Sequence, residues 1–165
     1  MQKQHSVPSA LPQQLASLLD GECNCIANLA NASALLYERI DDINWAGFYL
    51  LQEGELILGP FQGKVACVHI KLGKGVCGTA ALEDQTLIVD NVHEFSGHIA
   101  CDSASNSEIV IPLHAAGKVV GVLDIDSPSF SRFSADDREI LEQAAHRIEA
   151  SCDLSVFDSG KFNGK

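Results

Sequence analysis

Basic side chains are scarce in this chain. Its 165 residues include 11 lysines and arginines against 22 aspartates and glutamates, which gives a formal net charge of −11. A field of that sign repels nucleic-acid phosphates and anionic lipid heads, so we expect neither nucleic acid nor a membrane surface as a partner. The length suits a single domain with one sizeable core.

Long apolar runs are also missing. The N-terminal segment 1–19 lacks the apolar core of about 7–15 residues that a secretory signal carries. No run approaches the roughly 20 apolar residues that a membrane-spanning helix needs. We therefore expect a cytoplasmic protein. In that reducing compartment the six cysteines are expected to be free thiols unless a bridge is transient and catalytic.

Metal and nucleotide motifs are absent as well. No two cysteines are separated by two to four residues, the spacing that anchors most structural zinc sites. Gly73-Lys74-Gly75 lacks the spacing of a phosphate-binding P-loop. We therefore expect no metal and no organic cofactor. A zinc-stabilised domain remains as a weaker alternative, and its candidate ligands would be Cys67, His69, Cys77, His93, His98 and Cys101.

Hydrophobic periodicity predicts an α+β fold. Helices are expected at 12–20, 23–39 and 76–82 and from Ser134 onward, and strands at 44–52, 55–60, 65–70, 86–89, 108–114 and 119–126. Glu53-Gly54 is typical of a hairpin turn, and Ser134 with Asp137 is typical of a helical capping box. The polar segment 90–107 is long for a simple connection, so we expect a binding loop there.

Three acidic residues fall on one face of the last two strands. Alternation places Glu108, Asp124 and Asp126 opposite the apolar core face. A three-residue loop at 115–117 would set Glu108 opposite Asp124, with Asp126 one diagonal step away. Crowded carboxylates cannot all ionise, so at least one is expected to keep its proton near neutrality and act as a general acid. Alternatively, Asp124 and Asp126 only cap a strand before a turn.

The six cysteines fall into two groups. Cys67 shares the non-core face of its predicted strand with His69 and so faces a site. Cys77 follows a glycine-rich turn at the start of a short helix, and Cys101 lies in the polar loop, two settings that favour ionised thiols. The other three, Cys23, Cys25 and Cys152, fit small buried hydrophobes in or beside helices.

Trp45 and Tyr49 share one face of the first predicted strand because they are four positions apart. Gly47 between them would leave room above the sheet, so the two rings are expected to enclose a flat apolar slot. Ordinary aromatic core packing is the alternative. Thiols, carboxyl groups and aromatic rings that close on one pocket favour redox chemistry on a small molecule.

Five segments closely resemble the free methionine-(R)-sulfoxide reductases, which are built on a single GAF domain. They are NWAGFYLL at 44–51, LGPFQGKVACVHI at 58–70, LGKGVCGTA at 72–80, GHIACDSASNSEIVIPL at 97–113 and GVLDIDSPSFSRF at 121–133. The resemblance implies a GAF-like domain at 21–153 with a central antiparallel sheet flanked by helices. We expect a helical extension at 1–20, a weakly ordered tail at 154–165, and a homodimer.

The resemblance also implies roles for particular residues. Cys101 would attack free methionine sulfoxide, and Cys67 or Cys77 would resolve the resulting sulfenic acid as a disulfide, which a thioredoxin-type protein would reopen. Strand parity favours Cys67. The remaining implied roles are oxygen binding and protonation by Glu108 and Asp126, ammonium binding by Asp124, and enclosure of the S-methyl group by Trp45 and Tyr49. The rival reading is a regulatory GAF module that binds a small ligand without turnover.

Overall fold

The computed structural model describes residues 5–97 and 104–157 and confirms the α+β class. The helices are α1 (Leu11–Leu19), α2 (Cys25–Arg39), α3 (Gly75–Glu83) and α4 (Ala135–Ser151), and 3-10 turns lie at Val92–Glu94 and Leu154–Phe157. The strands are β1 (Trp45–Gln52), β2 (Glu55–Gly63), β3 (His69–Lys71), β4 (Leu87–Val89), β5 (Ser107–Ala115) and β6 (Lys118–Ser127). No helix among these residues has both the length and the apolar composition to span a bilayer.

The strands form a single antiparallel sheet in the order β3-β2-β1-β6-β5-β4. Helices α1, α2 and α4 cover one face, where the larger hydrophobic core lies. Helix α3 packs on the other face, above a smaller cluster that includes Trp45, Tyr49 and Cys77. The alternation in β1 produces this division, because Ala46, Phe48 and Leu50 enter the large core while their neighbours point to the small one.

The two hairpin turns differ in how well the sequence predicts them. Glu53 and Gly54 both have positive φ, 49° and 84°, as a tight two-residue turn requires, which confirms that prediction. The predicted three-residue loop between β5 and β6 is wrong. Ala115 pairs with Lys118 across a two-residue turn, and a bulge follows between Leu113 and His114. The bulge restores the register parity that the loop was meant to supply.

The third predicted strand, 65–70, is also largely wrong, because β3 begins only at His69. Residues 64–68 form a loop in which Val65 and Val68 are exposed. Two backbone carbonyls of this loop, those of Lys64 and Cys67, accept hydrogen bonds from aromatic side chains. The loop therefore satisfies part of its backbone without a neighbouring strand, which alternating apolar residues alone do not indicate.

Helix α4 begins with the predicted capping box. The Ser134 hydroxyl accepts a hydrogen bond from the backbone N–H of Asp137, and the Asp137 carboxylate accepts one from the N–H of Ser134. Asp137 also accepts hydrogen bonds from the Val7 N–H at 2.7 Å and from the Arg132 guanidinium at 3.2 Å. This buried carboxylate therefore accepts hydrogen bonds from three separate donors, and through Val7 it connects the N-terminal segment to the last helix.

The first and last elements of the described residues contribute to the core. Helix α1 buries Leu11, Leu15 and Leu19. The tail predicted to be weakly ordered, 154–165, begins with a 3-10 turn whose Leu154 and Phe157 are buried in the same core. Residues 158–165 lie outside the described residues, so the tail boundary at residue 154 stays a prediction. The domain boundary at residue 20 stays a prediction.

Strand β4 is short and pairs only with residues 108–110 of β5. Among the described residues, the rest of β5 therefore has no neighbouring strand on that edge. Beyond that point lies Pro112, which has no N–H to donate. The backbone N–H of His114 donates to the Glu149 carboxylate at 2.8 Å. The His114 ring lies between two carboxylates, with Nδ1 3.2 Å from Glu149 and Nε2 2.6 Å from Asp84.

This histidine should make folding stability depend on pH. Partial burial lowers the pKa of His114, but hydrogen bonds to Asp84 and Glu149 outweigh it and raise the pKa overall. A raised folded-state pKa stabilises the fold fully below the unfolded value of about 6.5, and the effect is lost as pH rises through the folded-state pKa. Urea unfolding should therefore show that His114→Gln costs more at about pH 6 than at about pH 8.5.

The difference should be about 1 kcal/mol or less, because the pair with Asp84 is partly exposed. Glu149→Gln should reduce the same pH dependence. An equal cost of His114→Gln at both pH values would contradict the prediction.

Candidate active site

The candidate site lies on the small-core face of the three central strands. Because β6 pairs with β1 on one side and β5 on the other, their residues align in rows across the sheet. One row holds Trp45, Asp126 and Glu108, and the next holds Gly47, Asp124 and Val110. The sequence prediction that the three acids share the non-core face is therefore correct. The predicted pairing within it is wrong: Glu108 lies opposite Asp126, and Asp124 is the diagonal neighbour.

The three acids and Trp45 line a small cavity of about 50 Å³. Two of the carboxyl groups, Glu108 and Asp124, are only 7% and 5% exposed, while Asp126 is half-buried. The cavity is lined by Trp45, Tyr49, Val65, Ala66, Ile70, Lys74, Gly75, Val76, Cys77, Val92, Ser105, Glu108, Asp124 and Asp126. Six of the eight site residues expected from the sequence therefore line one cavity.

Burial and mutual repulsion control the ionisation of the acids. Burial, together with the charges of Asp124 and Asp126, raises the pKa of the Glu108 carboxyl well above its ordinary value. Burial also raises the pKa of Asp124 to about 6, and hydrogen bonds with Glu108 and Cys77 oppose part of that shift. Both shifts favour a protonated carboxyl in this pair, and the upward shift in pKa is the stronger at Glu108.

Cys77, near the start of α3, lies beside Glu108 and Asp124. Its Sγ donates to Glu108 Oε1 at 3.7 Å. Burial, followed by the charges of Asp124 and Glu108, raises the pKa of this thiol well above its ordinary value. Proximity to a helix start suggested an ionised thiol, but the desolvated acidic surroundings have the opposite effect. The set of Cys77, Glu108 and Asp124 is also the group among the described residues whose ligand atoms lie close enough to hold a metal ion.

The remaining cysteines differ from Cys77 in their position and their bonding. Cys67 is half-buried in the 64–68 loop, so the strand-parity argument for its orientation fails. It takes part in a disulfide. The free thiols among the described residues are Cys23, Cys25, Cys77 and Cys152. Cys101, the expected attacking residue, lies outside the described residues, together with the rest of 98–103.

The aromatic residues form a stack and leave no open slot above Gly47. The Trp45 ring stacks on Tyr49 at 5.9 Å between centroids and on Phe61 at 5.1 Å. Phe61 fills the space above Gly47, because a Cβ built at Gly47 would lie 2.3 Å from the Phe61 Cβ. Sequence reasoning missed Phe61 because it ended β2 at Pro60, whereas the strand continues to Gly63.

The same aromatic side chains hold the loop that carries Cys67. Trp45 Nε1 donates to the Lys64 carbonyl at 3.1 Å, and the Tyr49 hydroxyl donates to the Cys67 carbonyl at 2.9 Å. Lys74 and Ser105 also line the cavity and were not expected from the sequence. Ser105 is positioned by Asn44, whose amide nitrogen donates to its hydroxyl at 3.1 Å.

Comparison with known proteins identifies the family of this chain. A family model described as the GAF domain matches residues 13–152. The chain is 55% identical over 152 residues to the free methionine-R-sulfoxide reductase of Escherichia coli, covering 92% of this chain and 91% of that protein. The yeast protein of the same name, from Saccharomyces cerevisiae, is 51% identical over 143 residues and is matched over 82% of this chain and 79% of its own.

Solved structures show the same relationship. A structure of the Staphylococcus aureus fRMsr in complex with substrate has a TM-score of 0.86 and 52% identity, covering 90% of this chain and 98% of that one. The free methionine-R-sulfoxide reductase of Neisseria meningitidis, in complex with its substrate, has a TM-score of 0.85 and 38% identity, covering 94% and 98%. These matches favour the enzyme over a regulatory module. The chain therefore belongs to the free methionine-R-sulfoxide reductases, oxidoreductases built on the GAF domain.

Proposed function

We propose that this chain reduces free L-methionine (R)-sulfoxide through a sulfenic acid on Cys101 and a disulfide with Cys67. The observation that carries the proposal is the burial of the Glu108 carboxyl group in a cavity that two further acids and two aromatic rings also line, a setting that raises its pKa well above the ordinary value. A protonated carboxyl is the proton donor that a sulfoxide oxygen needs as its bond to sulfur breaks.

The proposed reaction is a two-electron reduction of the sulfoxide by two thiols. The Cys101 thiolate attacks the sulfoxide sulfur while Glu108, next to Asp126, gives a proton to the oxygen. The oxygen ends on Cys101 as a sulfenic acid, and methionine leaves reduced by two electrons. The Cys67 thiol then attacks the sulfenic sulfur, which releases water and closes the disulfide. An external dithiol of the thioredoxin type reopens it, because its reduction potential is low enough.

The cysteine inventory supports Cys67 as the resolving thiol. Cys67 takes part in a disulfide, whereas four others are free thiols. Cys101 lies outside the described residues, and its pairing with Cys67 is part of the proposal. Cys77, by contrast, is 4% exposed and donates to Glu108, so it is better placed to hold the acid than to attack a sulfenic sulfur.

Asp124 supports recognition of the free amino acid. Its Oδ1 is buried and has no hydrogen-bond partner among the described residues. The ammonium group of free methionine sulfoxide would supply the missing donor and pair with the carboxylate. A peptide-bound substrate has a neutral amide nitrogen at that point and would leave the charge unpaired in a buried site. Trp45 and Tyr49 would enclose the S-methyl end in this arrangement.

The setting of the enzyme follows from this chemistry. A disulfide that must be reopened in every turnover suits the reducing cytoplasm, where dithiol proteins are present. A homodimer is proposed on the family resemblance. The reaction itself needs neither a metal nor an organic cofactor.

We predict that Cys101→Ser abolishes methionine formation from methionine sulfoxide and dithiothreitol, because a serine hydroxyl does not ionise at neutral pH. Peptide mapping of the wild type after one turnover without reductant should find a Cys67–Cys101 disulfide. Cys152→Ser, at a buried thiol remote from the cavity, should behave like the wild type. A Cys77–Cys101 link would transfer the resolving role to Cys77.

The acids should separate kinetically. Glu108→Gln should lower kcat by about 10²–10⁴, the usual cost of a lost general acid, and Asp126→Asn should act in the same direction. Asp124→Asn should mainly raise KM through the lost ammonium contact. Steady-state kinetics on free methionine sulfoxide would check this. An unchanged kcat in Glu108→Gln would mean that the buried acids are only structural.

Tyr49 should affect the second half of the reaction. Tyr49→Phe keeps the ring against Trp45 but removes the hydrogen bond to the Cys67 carbonyl. In a single turnover, methionine should form at the wild-type rate, whereas disulfide closure should slow by about fivefold, the equivalent of about 1 kcal/mol. Trapping of the sulfenic acid with dimedone measures closure, and Tyr37→Phe, at an exposed tyrosine, is the matched control. Equal slowing of both steps would contradict the prediction.

A further inference from the structure

We propose that the cavity contains a binding site for a divalent transition-metal ion of the zinc type, formed by Cys77, Glu108 and Asp124. A metal bound there would occupy the site of the substrate and inhibit the enzyme. Of these three residues, Cys77 was among the zinc ligands considered from the sequence, but the two acids were not, because the three ligands come from a helix and two strands with no metal-binding spacing between them.

The three ligand atoms lie close together, and one pair is at the separation that a tetrahedral ion requires. One ligand atom from each of the three side chains lies within 4.8 Å of the others. The Cys77 Sγ and Glu108 Oε1 are 3.7 Å apart. A tetrahedral zinc with bonds of about 2.3 Å to sulfur and about 2.1 Å to oxygen holds those two atoms about 3.6 Å apart. The pair is therefore already at coordination distance.

A second observation points to a missing cation. Asp124 is 5% exposed and lines the cavity, and its Oδ1 has no hydrogen-bond partner among the described residues. A buried carboxylate oxygen without a partner is costly, and a coordinated cation removes that cost. The proton on Glu108 and the thiol proton of Cys77 would be released on binding, which leaves three anionic ligands for one divalent ion.

The ligand chemistry selects the kind of ion. One sulfur and two carboxylate oxygens suit zinc, cobalt or cadmium, whereas magnesium and calcium prefer oxygen alone. The cavity of about 50 Å³ leaves space for a water as the fourth ligand, since a cavity needs about 10–15 Å³ to hold one. Three protein ligands and one exchangeable position form an open site that a metal can enter from solvent.

The test uses the oxidised protein, the form in which Cys67 is bridged and Cys77 is free. Cobalt(II) chloride should produce a thiolate-to-cobalt charge-transfer band with one ion bound per chain, and zinc chloride should abolish the band by displacement. Cys77→Ser should remove the band. Asp124→Asn and Glu108→Gln should each weaken binding by about tenfold or more, since the loss of even an outer-shell partner costs that much. Cys152→Ser, at another buried thiol, is the matched control and should leave the band unchanged.

Absence of the band in the wild type, or its persistence in Cys77→Ser, would overturn the site. If Cys77→Ser does not fold, unchanged cobalt affinity in both acid variants would do the same. The inhibitory consequence rests on the proposed function: zinc should raise the apparent KM for methionine sulfoxide and leave kcat unchanged. Because the cobalt band is measured without turnover, its outcome is independent of whether the reductase mechanism is correct.

Discussion

The withdrawal of Glu108 and Asp124 from water on one face of the central strands is the constraint on which the site depends. The other buried acid among the described residues, Asp137, accepts hydrogen bonds from a guanidinium and two backbone N–H groups. For Glu108 and Asp124 the polar contacts among the described residues are chiefly with each other and with Cys77. Asp137 therefore stabilises a helix start, whereas the pair in the cavity can only be accommodated by holding a proton or by receiving a cation.

The division of the sheet into two faces allows the fold to tolerate the buried acids Glu108 and Asp124. The large core on the side of α1, α2 and α4 contains most of the buried leucines and supplies most of the hydrophobic stabilisation. The smaller cluster beneath α3 can then include polar groups whose burial is unfavourable. Hydrogen bonds from Trp45 and Tyr49 to the 64–68 loop extend this second cluster into the wall of the cavity.

Local sequence patterns predicted most helices and strands and the sheet face on which each strand residue lies. The features that they did not predict depend on contacts between residues distant in the sequence. Alternation was sufficient to place Glu108, Asp124 and Asp126 on one face, because side-chain direction in a strand has a period of two. It could not set the pairing between Glu108 and Asp126, since a bulge near His114 shifts the register. It also misplaced Cys67, because the loop is held by side chains far away in the sequence. Phe61 was missed because the predicted strand ended at Pro60, whereas β2 continues to Gly63 and pairs Phe61 with Gly47 of β1.

The open edge of β5 has a consequence for association with other chains. An uncovered strand edge offers unpaired N–H groups on which a second strand can build a sheet. Here β4 ends early, but Pro112 has no N–H to offer and that of His114 is already bound to Glu149. A foreign strand would therefore find few donors along this edge. The combination of a proline and a helix-borne carboxylate protects the protein against edge-to-edge aggregation.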